Sequence, residues 1–217
     1  MTRDDAIELI LARLGQRQND EALQSAAVLE MNLAQKQLER GAFKPWFLLS
    51  ELRDTVTQAG EERLALPADY LQEAENGALW LVQNGVRTEL VKTDYELGLQ
   101  QYPNAGVPKK YSLNGKYLRL HPTPDAVYSL QSQFFVSQPL ITVAYNPTVH
   151  GTDTNAWLTY AEDWLIAETG KALAAAYTRD TELAVIFGGM ATEARTRVMT
   201  DTVAREEVNY QRSMGDD

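Results

Sequence analysis

Two observations predict an α+β protein. Apolar residues recur at the helical period near both ends of the 217-residue chain. Between about residues 44 and 140, turn and strand signals replace that period. The expected architecture is a helical bundle core built from the N- and C-terminal segments, with an antiparallel β module inserted. In residues, this gives an N-terminal helical hairpin over 1–43 and a β-rich insertion over 44–140. C-terminal helices over 141–211 complete the core, and 212–217 form a flexible tail.

Thr2 and Asp5 have the spacing of a capping box, in which a hydroxyl and a carboxylate three residues on satisfy each other's backbone N–H. Ile7, Ile10, Leu11 and Leu14 then share one face, and Gly15 is the expected stop. A second helix is expected from about residue 20 to residue 40, closed by Gly41. Its apolar stripe is Leu23, Ala27, Met31, Ala34 and Leu38, with Gln24, Gln35, Lys36 and Glu39 on the opposite face. The two helices should pair as an antiparallel hairpin.

After Gly41 the character changes. Pro45-Trp46-Phe47-Leu48-Leu49 reads as a buried strand or a short anchor, and residues 52–58 as a strand. Asn84-Gly85 between two β-rich runs predicts a two-residue hairpin, because Asn-Gly supplies the positive φ that the turn needs. Asn114-Gly115 predicts a second. Residues 94–101 read as a short helix, 122–125 as a turn, 128–136 as the last strand and 139–151 as a linker.

One helix is then expected from about 155 to 177, with Trp157, Tyr160, Ala161, Trp164, Leu165 and Glu168 along one side. Gly170 inside it should cost about 1 kcal/mol relative to alanine. The final helix begins near Thr181 and reaches about Tyr210, with a bend at Gly188-Gly189.

Composition narrows the function. There are no cysteines, which removes disulfides, thiolate metal sites and cysteine nucleophiles. The net charge of −10 opposes affinity for phosphate backbones. No apolar run is long enough to span a membrane, and the acidic start Met1-Thr2-Arg3-Asp4-Asp5 shows no signal peptide, so no membrane partner is expected. The chain should act where it is made or be carried inside a larger particle.

No catalytic, metal or cofactor motif emerges. His121 and His150 lack ligand-spaced partners and read as structural or surface histidines. Glu162 and Asp163 are adjacent on a helix, so they project about 100° apart and do not converge. With Glu168, Asp201, Glu206 and Glu207 they read as solvated helix charges. Trp157, Tyr160 and Trp164 read as core rather than as a stacking platform. Thr169-Gly170-Lys171 lacks the glycine-rich run of a phosphate loop, and Pro147 removes Asn146 as a glycosylation acceptor. Arg195, Arg197, Arg205 and Arg212 are interleaved with acids and read as ion-pair partners rather than a DNA-binding stripe.

The ordered set of parts resembles the head-to-tail adaptor (head-completion, tail accessory) proteins of tailed bacteriophages, especially short-tailed ones. Leu11-Ala12-Arg13-Leu14-Gly15, a long helix ending at Gly41 and the pair Trp46-Phe47 are similar to that family's opening. The run from Ala59 through Leu66-Pro67-Ala68-Asp69-Tyr70 resembles its entry into the β module. Tyr117-Leu118-Arg119-Leu120-His121-Pro122-Thr123-Pro124-Asp125 resembles its strand, Pro-x-Pro turn and strand. The closing pair of helices and short tail match its end.

The resemblance implies a structural virion protein rather than an enzyme. It implies a homo-oligomeric ring, a dodecamer, docked under the portal protein. The ring extends the DNA channel and offers an attachment surface to tail nozzle or tail-tube proteins. Double-stranded DNA would pass through without specific binding, and assembly would occur in the host cytoplasm. By the same resemblance, residues 203–217 would dock on the portal, with Tyr210, Arg212 and Met214 as anchors. Two readings from other classes stand beside it: a cell-wall hydrolase using a Glu/Asp pair, and a carbohydrate- or protein-binding module on the β insertion.

Overall fold

The computed structural model describes residues 1–15, 20–74, 78–141 and 154–214, with side chains as far as residue 205. The fold is α+β, and the chain divides into two compact units. One comprises Met1–Leu48 and Gln138–Asp217, the other Leu49–Ser137.

The helical unit begins with α1 (Arg3–Arg13). Thr2 Oγ1 accepts from the Asp5 N–H at 3.3 Å, and the Thr2 N–H donates to Asp5 Oδ2 at 3.1 Å, so the capping box is present. Ile7, Ile10, Leu11 and Leu14 are buried, and Gly15 leaves the helix at φ +67°. The second helix, α2 (Glu21–Arg40), is capped by Asp20. It ends at Gly41 without a left-handed residue, because Gly41 adopts φ −57° and ψ 157°. Its expected polar face is corrected by the structure. Gln24, Gln35 and Glu39 are buried together with Asn32, and only Lys36 of that group is exposed. Pro45-Trp46-Phe47-Leu48-Leu49 forms a 3-10 turn at Trp46–Leu48 rather than a strand.

In the β unit, β1 (Arg53–Val56), β4 (Leu79–Gln83), β5 (Val86–Glu89) and β9 (Ser129–Ser132) form a sheet in the order β1-β9-β4-β5. A second sheet joins β2 (Arg63–Ala65), β8 (Tyr117–His121), β7 (Lys110–Asn114) and β6 (Val91–Lys92) in that order. The strand β3 (Tyr70–Glu73) pairs with β10 (Phe134–Val136). A short helix, α3 (Tyr95–Gln101), is capped by Asp94. The first hairpin pairs Gln83 with Val86 and leaves Asn84 (φ +50°) and Gly85 (φ +79°) as its turn.

The second hairpin pairs Asn114 with Tyr117, so its turn is Gly115-Lys116, one residue later than expected. Gly115 at φ +63° opens that turn. The module is not wholly antiparallel, since β6 pairs with β7 in parallel. The strand expected over 128–136 divides at Gln133 into β9 and β10, which serve different pairings. Leu79, Leu118, Leu120, Leu130 and Phe134 lie in one buried cluster. Each such burial stabilises by about 1.5–3 kcal/mol.

The chain returns to the helical unit through residues 138–141. Part of the linker expected over 139–151, including His150, lies outside the described residues. The helix expected over 155–177 is three pieces: α4 (Ala156–Tyr160), α5 (Glu162–Leu173) and a π turn at Ala174–Thr178. Ala161 (φ −141°, ψ 37°) makes the first break while ending α4 and starting α5. The break accompanies an edge-on contact of Trp157 with Trp164 at 5.7 Å between centroids. Arg179 at φ +53° ends the π turn, and α6 (Thr181–Met214) follows as one uninterrupted helix through Gly188-Gly189. Residues 212–214, expected in the tail, are therefore helical, and 215–217 lie outside the described residues.

Gly170 has a reason in packing. A Cβ built there would lie 2.4 Å from Phe187 Cε1, so its absence lets α6 close on α5.

Candidate functional site

Helix α6 carries two different faces. Asp180 Oδ1 accepts from the Leu183 N–H at 3.0 Å and starts the helix. Phe187, Ala191, Ala194 and Thr202 then form its buried row. The beginning and end of that row are tied into the helical unit. Phe187 covers Gly170, and the Trp46 indole N–H donates to Asp201 Oδ2 at 2.8 Å. Arg205 donates to the same oxygen at 3.1 Å, and its guanidinium lies 3.8 Å from the Trp46 ring centroid.

The outward face is more apolar than a solvated helix requires. Val185 is 75% exposed, Ile186 58%, Val203 50% and Met199 37%. Thr192, Thr196 and Thr200 each donate a hydroxyl hydrogen to the carbonyl four residues back, at 3.0, 2.9 and 3.0 Å. Those bonds satisfy the hydroxyls inside the helix and lower the polarity of its surface. On α2 the exposed residues Leu29 and Leu33 stand four apart, on the side away from the buried row.

The buried row of α2 is a backbone-recognition surface. Asn32 Nδ2 donates to the Ile141 carbonyl, and the Ile141 N–H donates to Asn32 Oδ1, both at 2.9 Å. Gln35 Nε2 donates to the Gln138 carbonyl at 2.9 Å. Glu39 Oε1 accepts from the Gln35 side chain, the Gln138 N–H and the Trp157 indole N–H, each at 3.0 Å. Asn155 Nδ2 donates to the Pro139 carbonyl at 3.0 Å and to Gln35 Oε1 at 2.8 Å. Residues 138–141 make no regular ladder, so these side chains supply partners that the backbone otherwise lacks. Sequence reasoning missed this surface. The signal was present in the spacing, because Gln24, Gln35 and Glu39 fall within about 80° of Met31 around the helix rather than opposite it.

The sequence-predicted chemical residues do not converge. His121 is buried, with Nε2 2.9 Å from Ser112 Oγ and its ring tilted against Tyr95 at 5.9 Å. Burial pushes its imidazole below the ordinary value. Glu162 faces the chain's amino terminus at 3.6 Å, Asp163 faces Arg197 at 3.4 Å, and Glu168 faces Lys171 at 3.5 Å. Trp157 and Trp164 are core residues, but Tyr160 is 55% exposed, contrary to the expected stripe. Arg197 also approaches Glu193 at 3.8 Å. Exposed pairs of this kind contribute about 0–1 kcal/mol.

Tyr210, Arg212 and Met214 lie on the terminal turns of α6, with their side chains outside the described residues, as are those of Glu206 and Glu207. Among the described residues, no group of three or more histidines and carboxylates is arranged to hold a metal.

The β unit has an open cavity of about 480 Å³ lined by Glu73, Glu89, Leu90, Lys92 and Tyr111. Lys92 is ion-paired to Glu73, and burial together with Glu73 pushes the Tyr111 phenol up. Burial also pushes the Tyr70 phenol up to about 12. These phenols are therefore neutral groups at ordinary pH rather than nucleophiles.

Comparison with protein families finds one assignment over nearly the whole length. The model described as SU10 adaptor protein matches residues 1–214. No curated protein matches the chain.

Proposed function

The chain belongs to the SU10 adaptor protein family of phage structural proteins, and from that premise we propose that it forms a ring between portal and tail. The ring, a dodecamer, extends the DNA channel and gives tail nozzle or tail-tube proteins their attachment surface. The observation that supports this reading is the outward face of α6, where Val185, Met199 and Val203 remain exposed on a helix whose other face is packed. A protein that acts alone gains nothing from that exposure, whereas a subunit buries it against its neighbours. The net charge of −10 suits a conduit past which a polyanion must slide without being held.

In this reading, Tyr210, Arg212 and Met214 at the end of α6 dock on the portal. Assembly is sequential and takes place in the host cytoplasm, and the tail-binding surface is complete only in the ring.

Electron microscopy of the purified chain with its cognate portal rings tests the proposal. The expected result is an added layer at one end of the portal, carrying the portal's rotational symmetry. Bare portals beside free monomers at tens of micromolar would overturn it. Deleting residues 206–217 should leave a folded chain, by circular dichroism, that no longer adds the layer. Undiminished addition would refute docking through Tyr210, Arg212 and Met214.

A further inference from the structure

The helical unit carries a second outward seam that matches the one on α6. On α2, the residues Ala22, Ala26, Leu29, Leu33, Lys36 and Arg40 follow one another at steps of 4, 3, 4, 3 and 4. On α6, Val185, Gly189, Thr192, Thr196, Met199 and Val203 repeat the same steps. This is the heptad spacing of a helix that packs lengthwise on another. All twelve residues are exposed except Ala26, which is half-buried. Each seam covers 19 residues, 22–40 and 185–203, or about 27 Å at the helical rise.

The two seams also run in the same direction. Helix α5 packs against both α2 and α6. Towards one end of α5, Asp20, Ala22 and Leu23 line a cavity with Tyr177 and Thr178, while towards the other Glu39 bonds Trp157. So α2 runs antiparallel to the α4–α5 segment. On the other helix, Phe187 meets Gly170 and Arg197 meets Asp163, so α6 is antiparallel to α5 as well. Therefore α2 and α6 are parallel to each other. Pairing residue 22 with residue 185 and residue 40 with residue 203 keeps a constant offset of 163 along both seams.

We propose that the α2 seam of one copy packs, parallel and at this offset of 163, on the α6 seam of the next copy around the ring. The inference rests on the ring reading and specifies the joint within it. Cyclic closure joins two different faces of one chain, and rotation without rise preserves both height and direction. With the helices along the ring axis, two seams that meet must run parallel, and these do.

Their chemistry is complementary at that register. Leu29 and Leu33 fall opposite Thr192 and Thr196, Ala22 opposite Val185 and Ala26 opposite Gly189, while the stems of Lys36 and Arg40 cover Met199 and Val203. On the flanks, Glu30 and Arg195 lie about 80° to opposite sides of their seams. In a parallel pair those two flanks face each other, and the offset places them two residues, about 3 Å, apart in height. Neither residue makes an ion pair among the described residues, so each is available to the other.

Cysteine cross-linking tests the joint cleanly, because the chain has no cysteine. The double variant Leu33→Cys with Thr196→Cys is oxidised with diamide under the conditions where sedimentation or microscopy shows the wild type assembled, on portal rings if it assembles only there. The expected product is a ladder of dimers, trimers and larger covalent oligomers. Each single variant alone should stay uncross-linked, and the two singles mixed should stop at dimers.

Cross-linking of Leu33→Cys alone would overturn the proposal by showing a two-fold contact. An assembled ring without the ladder would overturn the joint while leaving the ring intact. Absence of any assembly, with or without portal rings, would overturn both. A second pair of variants probes the flank. Arg195→Glu should weaken association about tenfold, equivalent to about 1.4 kcal/mol, and Glu30→Arg in the same chain should restore it. Failure of the exchange to restore assembly would rule out the register.

Discussion

Each of the two units satisfies its own interior by a different means. In the β unit, strands satisfy one another's backbone groups, so the side chains between the sheets are free to be apolar, as Leu79, Leu118, Leu120 and Leu130 are. In the helical unit, a helix meets an irregular return of the chain at residues 138–141. That segment has no strand to pair with, so α2 turns Asn32, Gln35 and Glu39 inward to serve it. The difference teaches that Asn32, Gln35 and Glu39 are buried on a helix because non-repetitive backbone has come inside beside them. The requirement is to satisfy backbone donors and acceptors away from water.

The largest expected effect tests the polar side of this contrast. Glu39→Leu strands the Trp157 indole N–H, the Gln35 amide and the Gln138 N–H, and should cost about 3–5 kcal/mol in urea unfolding. Glu39→Gln keeps an acceptor and should cost far less. Equal losses in the two variants would mean that charge, rather than the satisfaction of donors, holds the segment.

Next in size is Gly170→Ala. The new methyl meets the Phe187 ring at 2.4 Å and should cost about 2 kcal/mol despite alanine's higher helix propensity. A thermal midpoint raised by the substitution would show that α6 can retreat from α5 without loss.

The smallest effect belongs to the β unit's own buried polar pair, His121 with Ser112. Burial, and to a lesser extent Arg119, hold the imidazole below its ordinary 6.5, against the opposing pull of Glu62. The unfolded chain therefore binds the proton more readily. The stability tied to the neutral ring is complete above about pH 6.5 and is lost as the pH falls from there toward the folded value. Hydrogen exchange of the β7 and β8 amides should quicken between pH 7 and 5.5, after correction for intrinsic rates, and this quickening should vanish in His121→Gln. An identical acid response in that variant would place the titration elsewhere.

The sequence by itself determined what depends on a few neighbouring residues. Thr2 and Asp5 close their capping box, Asp20 and Asp94 start helices, and Asn84-Gly85 turns a hairpin, because each acts through hydrogen bonds or φ preferences within four residues. The α+β class follows from the same local periods summed over long windows.

The tertiary structure alone decided that Gln24, Asn32, Gln35 and Glu39 join the buried side of α2, where the 155–177 segment breaks, and that 128–136 serves two pairings. It also decided that Gly170 is a contact rather than a weakness. In most of these cases partners distant in the chain make the choice, as Phe187 does for Gly170 and as β1, β3 and β4 do for residues 128–136. Glu39 is buried because Trp157 and Gln138 arrive beside it, and Leu33 is left outside because the opposite face of its helix is already filled.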